Sequence, residues 1–157
     1  MDTIYIETSI VSYATAWPSR DIQNAALQQQ ARDWWSVERP KFDLVTSQLT
    51  LDEASRGDPA AAGDRLKLLI GIPLLDIDSD AQALAGLLLS GHMMPEKAAA
   101  DALHVAVAAL GGVKYLLTLN CKHIANAHEL PRVYKLLNDE GFGGMLICTP
   151  AEFLGSN

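Results

Sequence analysis

An α/β protein, with a mostly parallel sheet and helices on both faces, is predicted by three features of the sequence. Short β-rich runs recur at residues 3–6, 42–45, 72–77, 113–118 and 145–148. Segments with helical spacing of apolar residues, long enough to serve as crossovers, separate them. Gly57, Gly71 and Gly111-Gly112 each stop a helical stretch where a left-handed residue is usually wanted.

The totals narrow the function classes. A chain of 157 residues, 49% apolar and 20% charged, is expected to form one soluble domain over residues 1–157 with a real core. No apolar run is long enough to span a bilayer, and the amino-terminal stretch lacks a basic-then-apolar signal. Cys121 and Cys148 form no metal-ligand or redox spacing, so a reducing cytoplasm is expected. The formal net charge of −7 argues against binding nucleic acid through a broad basic surface. It leaves open an enzyme whose acids gather around metal ions, because the ions reverse the local sign.

Residues 3–6 form the first predicted strand, and Glu7-Thr8-Ser9 the turn beyond it. Glu7 thus sits at a strand's carboxyl end, the edge where open α/β sheets place their sites. An ordinary surface Glu beside a capping hydroxyl is the competing reading. Trp17-Pro18 interrupts the following apolar stretch, and Arg20-Asp21 leads into a helix to about Glu38. Trp34 and Trp35 on that helix are expected in a core or subunit contact, whereas Trp17 is the better candidate for stacking on a substrate.

After the strand at 42–45, Thr46-Ser47 begins a helix that carries Asp52 and Glu53 and stops at Gly57. Adjacent helical residues point about 100° apart, so at most one of the two acids faces an interior site, and spacing does not say which. Arg56, three residues on, offers Glu53 a surface ion pair. Asp58-Pro59 caps the next helix, through Leu69. Pro73 marks the strand at 72–77 as an edge strand, and a helix follows over 78–91.

The segment 95–126 says most about the protein. Pro95 suits the first turn of a helix that runs to Gly111 and carries little charge, so burial on more than one side is expected. Within it Asp101 lies more than a turn inside, which makes simple capping a poor explanation. A carboxylate on an apolar helix needs a partner. Either it joins a structural ion pair or it faces a metal-binding cavity shared with other acids. The strand at 113–118 and a polar loop or helix start at 120–126 follow. Glu7 and Asn120 share an edge only if the first and fourth strands are neighbours. Beyond Pro131 come a last helix to about Asn138, a Gly-rich turn, the strand at 145–148 and, after Pro150, a frayed tail.

His92, His104, His123 and His128 show no HExxH or paired zinc spacing, and no phosphate-binding loop, dinucleotide fingerprint or nucleophile elbow is present. His104, three residues from Asp101, is expected to be a satisfied helix histidine or a partner of that acid.

Four segments in order, IYIETSIVSY, LDEASRGDP, AADALHVAVAA and LLTLNCKHIAN, resemble a PIN-domain protein of the VapC toxin type. The resemblance implies a three-layer α/β/α sandwich on a mostly parallel sheet of about five strands. It implies a metal-dependent endoribonuclease, the toxin of a toxin–antitoxin pair, leaving 5′-phosphate and 3′-hydroxyl ends. Carried over by position, the catalytic residues are Glu7, Glu53, Asp101 and Asn120, with Glu7, Glu53 and Asp101 as ligands to Mg²⁺ or Mn²⁺. It also chooses Glu53 over Asp52. Two departures stand out: Glu7 occupies a place commonly held by Asp, and Asn120 is neutral where an acid is frequent. One tight metal site and a weaker, substrate-assisted one are therefore expected. Thr8, Ser9 and Lys122 are the substrate-binding candidates, with His123 a further contact. The implied partners are RNA, a cognate antitoxin and a second copy in a homodimer. The competing class is a PIN-like scaffold whose altered acids no longer organise metal.

Overall fold

The computed structural model describes residues 1–90 and 98–155. Gly91, His92 and Pro95, and with them the expected start of the central helix, lie outside the described residues. The elements run β1 (Thr3–Ile6), α1 (Thr8–Thr15), α2 (Ile22–Asp33), β2 (Asp43–Ser47), α3 (Gln48–Ala54), α4 (Pro59–Leu69), β3 (Leu74–Leu75), α5 (Ser79–Ser90), α6 (Ala99–Leu110), β4 (Tyr115–Leu117), α7 (Leu130–Asp139) and β5 (Leu146–Cys148).

The five strands form an all-parallel sheet in the order β3-β2-β1-β4-β5. Alternation along β1 divides the core in two. Ile4 and Ile6 pack with α1 to α4, and Tyr5 points to the opposite layer of α5, α6 and α7. The α/β/α sandwich follows from that split. β1 pairs with β4 through Ile6↔Leu117, so the neighbour relation that spacing left open holds. After β1 the chain winds outward to β2 and β3, then returns to the other side of β1 as β4. This reversal opens a crevice beyond the carboxyl ends of β1 and β4, where sites form in such sheets.

Three expectations need correction. Residues 8–15 are helical, so Thr8 and Ser9 open α1 instead of forming a turn. The helix expected to reach about Glu38 does so, as α2 to Asp33 and then as a wider π-helical turn over Trp34–Glu38, before a tight turn at Arg39–Lys41 containing Pro40. Trp34 is thereby fully buried against Phe42 and Phe153, as a core residue, and Trp17 is 92% exposed. The third strand shrinks to two residues at the sheet edge, beside Pro73. The tail is not frayed up to Gly155: Thr149 and Glu152 form a capping box around Pro150–Glu152, and Phe153 packs edge-on against Tyr115 and Phe42.

Candidate active site

Glu7 occupies the cap position of α1, with extended backbone (φ −85°, ψ 155°), yet its side chain does not cap the helix. Its Oε1 accepts hydrogen bonds from Thr118 Oγ1 at 2.6 Å and from Ser9 Oγ. Strand pairing produces this meeting: Glu7 N donates to Leu117 O at 3.1 Å, which brings Thr118 alongside. Leu119 N donates to Ser9 Oγ at 2.8 Å, tying the start of α1 to the end of β4. Glu7 is only 5% exposed.

Glu53 comes from α3, whose short run from the end of β2 turns it inward while Asp52 stays exposed, paired with Gln48. Its Oε1 accepts from Thr8 Oγ1 at 2.6 Å and meets His104 Nε2 at 2.6 Å. Burial pushes its pKa up, but the hydrogen bond and charge of His104, with the bond from Thr8, bring it below the usual value. The expected partner, Arg56, contributes only a weaker charge effect.

Asp101 lies in the first turn of α6, not deeper in the helix, because the described helix begins at Ala99. It does not cap. Its Oδ1 accepts from Asn120 Nδ2 at 3.3 Å. Burial raises its pKa and the Glu7 charge raises it further; His104 and His123 pull it down in part. Asn120 holds its place through its own backbone and side chain: Asn120 N donates to Thr118 Oγ1 at 2.9 Å, and Asn120 Oδ1 accepts from His123 N at 3.0 Å.

Each of the three acids thus engages one oxygen in protein hydrogen bonds and leaves the other without a partner among the described residues. Among the described residues, the sealed polar side-chain atoms lacking a partner are Trp34 Nε1 and Arg39 Nε, so these free carboxylate oxygens are not sealed off. Among the described residues no Lys or Arg forms a salt bridge with Glu7, Glu53 or Asp101. Converging carboxylates without a basic partner suit a divalent cation with hard oxygen ligands. Ligand atoms of Glu7, Glu53 and His104 all lie within 4.8 Å of one another, a spacing one ion can bridge. Asp101 is not of that trio but is close enough to feel the charges of Glu7 and Glu53.

The hydroxyls of Thr8 and Ser9 face the acids Glu53 and Glu7. Lys122 is exposed, and its side chain forms no hydrogen bond or ion pair among the described residues. His104 is the satisfied helix histidine expected, fully enclosed and bonded at both ring nitrogens; spacing missed its partners Glu53 and Tyr5, and the part of Thr118. A histidine one helical turn from Asp101 was the available signal. A cleft of about 510 Å³ beside Thr3, Phe42 and Pro73 lies at the amino ends of the strands and contains none of these acids.

The PIN domain family model matches residues 4–129, a span that holds every residue of the crevice named above. In fold the chain is similar to the crystal structure of a member of the VapBC family of toxin–antitoxin systems, VapBC-5, from Mycobacterium tuberculosis. The two are 17% identical with a TM-score of 0.51, over 95% of this chain and 99% of that one. No curated protein matches the chain.

Proposed function

The chain belongs to the PIN-domain family, and from that membership we propose that it is a metal-dependent endoribonuclease acting on single-stranded RNA, the toxin of a toxin–antitoxin pair. One observation carries the reading: Glu7, Glu53 and Asp101, from three separate elements, converge at the β1–β4 crevice, each with one oxygen unpartnered. Those oxygens would hold Mg²⁺ or Mn²⁺. When bound, such an ion acidifies a water and offsets the charge that gathers on a phosphodiester under attack.

The protein's own part is to keep the acids aimed. Thr118 and Ser9 hold Glu7 by one oxygen, and Thr8 and His104 hold Glu53. Asn120 steadies Asp101 without adding a fourth negative charge, which favours one tight ion over two. Lys122, exposed on the turn after Asn120, would meet RNA phosphate. A small antitoxin covering the acidic crevice, a homodimer and a cytoplasmic setting complete the proposal. The described residues contain no helix long and apolar enough to cross a membrane.

Incubation of the purified protein with single-stranded RNA tests this reading. Cleavage with Mg²⁺ or Mn²⁺, none in chelator, 5′-phosphate and 3′-hydroxyl ends, and no cleavage by Asp101→Asn are expected. Metal-independent cleavage, or an unimpaired Asp101→Asn variant, would overturn it.

A further inference from the structure

His104 is fully buried on α6, and both its ring nitrogens are engaged. Nε2 faces Glu53 Oε1 at 2.6 Å, and Nδ1 faces the Tyr5 hydroxyl at 2.7 Å. Tyr5, also fully buried, has Ser47 Oγ at 2.7 Å on its far side and Thr50 Oγ1 at 3.4 Å. Ser47 sits where a helix cap would, yet its hydroxyl does not cap α3; it turns to Tyr5. Four elements, β1, β2, α3 and α6, therefore contribute to one line of polar groups that ends at Glu53.

The charge at the Glu53 end of this line settles the donor there. A bare nitrogen lone pair 2.6 Å from a carboxylate oxygen would be repelled, so Nε2 carries a proton and donates it to Glu53. Nδ1 in turn meets the Tyr5 hydroxyl, and that hydroxyl meets Ser47 Oγ. Burial keeps the phenol protonated, with its pKa pushed up to about 12. The edge-on packing of the two rings, 5.8 Å between centroids, holds the imidazole plane.

We infer that Tyr5 and His104 are positioning residues for Glu53: through the Ser47–Tyr5–His104 line they fix which carboxylate oxygen turns to a bound divalent ion, and His104 itself stays off the ion. The inference rests on the metal-dependent reading above, and deepens it. Glu53 Oε1 is occupied by His104 and Thr8, so Oε2 is left for the ion. Loss of such an outer partner typically weakens metal binding about 10–100-fold.

Mn²⁺ titration of the wild type, Tyr5→Phe, His104→Ala and His104→Gln, followed by calorimetry and with melting curves to check folding, tests the inference. His104→Ala is expected to bind Mn²⁺ about 10–100-fold more weakly. His104→Gln, which restores an N–H donor, should recover most of that loss. Tyr5→Phe, lacking one oxygen, should fall between and carries the test if His104→Ala does not fold. Pulsed electron paramagnetic resonance of the Mn²⁺-loaded wild type should show no directly bonded imidazole nitrogen. Such a nitrogen signal, or Mn²⁺ affinities equal to wild type in Tyr5→Phe and His104→Ala, overturns the inference and leaves the nuclease reading standing. A wild type that binds no Mn²⁺ overturns both.

Discussion

Glu53 and His104, 51 positions apart in the chain, meet at 2.6 Å, and the contact holds the carboxyl below its usual pKa despite partial burial. A carboxyl whose folded pKa is depressed adds stability above its ordinary value, here 4.5, and loses it as pH falls through the folded value. Without metal, Glu53→Gln should therefore be less stable than wild type at pH 7, and the gap should be narrower at pH 4, below the ordinary value. Urea unfolding at the two pH values measures it.

Asp101 has the opposite sign. Its folded pKa is raised by burial and by Glu7, so its charge lowers stability as pH rises through that value and is harmless below the ordinary 3.8. In chelator at pH 7, Asp101→Asn should melt a few degrees above wild type, with the advantage gone below pH 4. Cleavage should be lost at the same time. Adding Mn²⁺ should raise the melting temperature of the wild type and barely move that of the variant.

Glu7→Asp restores the acid more common in the resembling proteins, yet it should weaken Mn²⁺ binding here by about tenfold or more. The shorter side chain draws the carboxylate back from Thr118 and Ser9, whose hydroxyls are set for the longer one. Equal or tighter Mn²⁺ binding in a calorimetric titration would contradict this.

Asn120→Asp should keep the acceptor for His123 N and lose the donor to Asp101, adding a charge beside an already strained acid. A lower melting temperature in chelator, and a larger rise on adding Mn²⁺, are the expected results of a thermal scan.

Phe153→Ala should cost about 2–3 kcal/mol, somewhat under the ~3–5 kcal/mol of a fully enclosed ring. Phe153 closes a cluster with Trp34, Phe42 and Tyr115, at ring separations of 5.3 to 6.4 Å, on the sheet face away from His104. Chemical unfolding at pH 7 gives the figure.

The alternation of strands and helices was legible because each period differs and glycines mark the ends, and so was the edge position of β3 from Pro73. The convergence of Glu7 with Asn120 was not, because strand order is set by packing of whole layers and no local spacing encodes it. The aromatic tail failed for a similar reason: Phe153 gains order from Trp34 and Tyr115, far away in sequence. His104 was expected to be a satisfied helix histidine or a partner of Asp101; its bonds go instead to Glu53 and Tyr5. Its role comes from Tyr5, a residue whose period-two position on β1 makes it face α6. Thr8 and Ser9 were noticed as hydroxyls beside an acid, but their targets, Glu53 and Glu7, depend on α1 beginning at once after β1.

The sheet order also bears on the protein's synthesis. β1 is made before the other strands described, but its neighbour β4 and the hydroxyl of Thr118 follow only after residues 7–117 have been made. Until then Glu7 has no strand beside it, and Asp101 lacks Asn120. On the nuclease reading, a nascent chain is inert towards the message and ribosome producing it until β4 and Asn120 have been made.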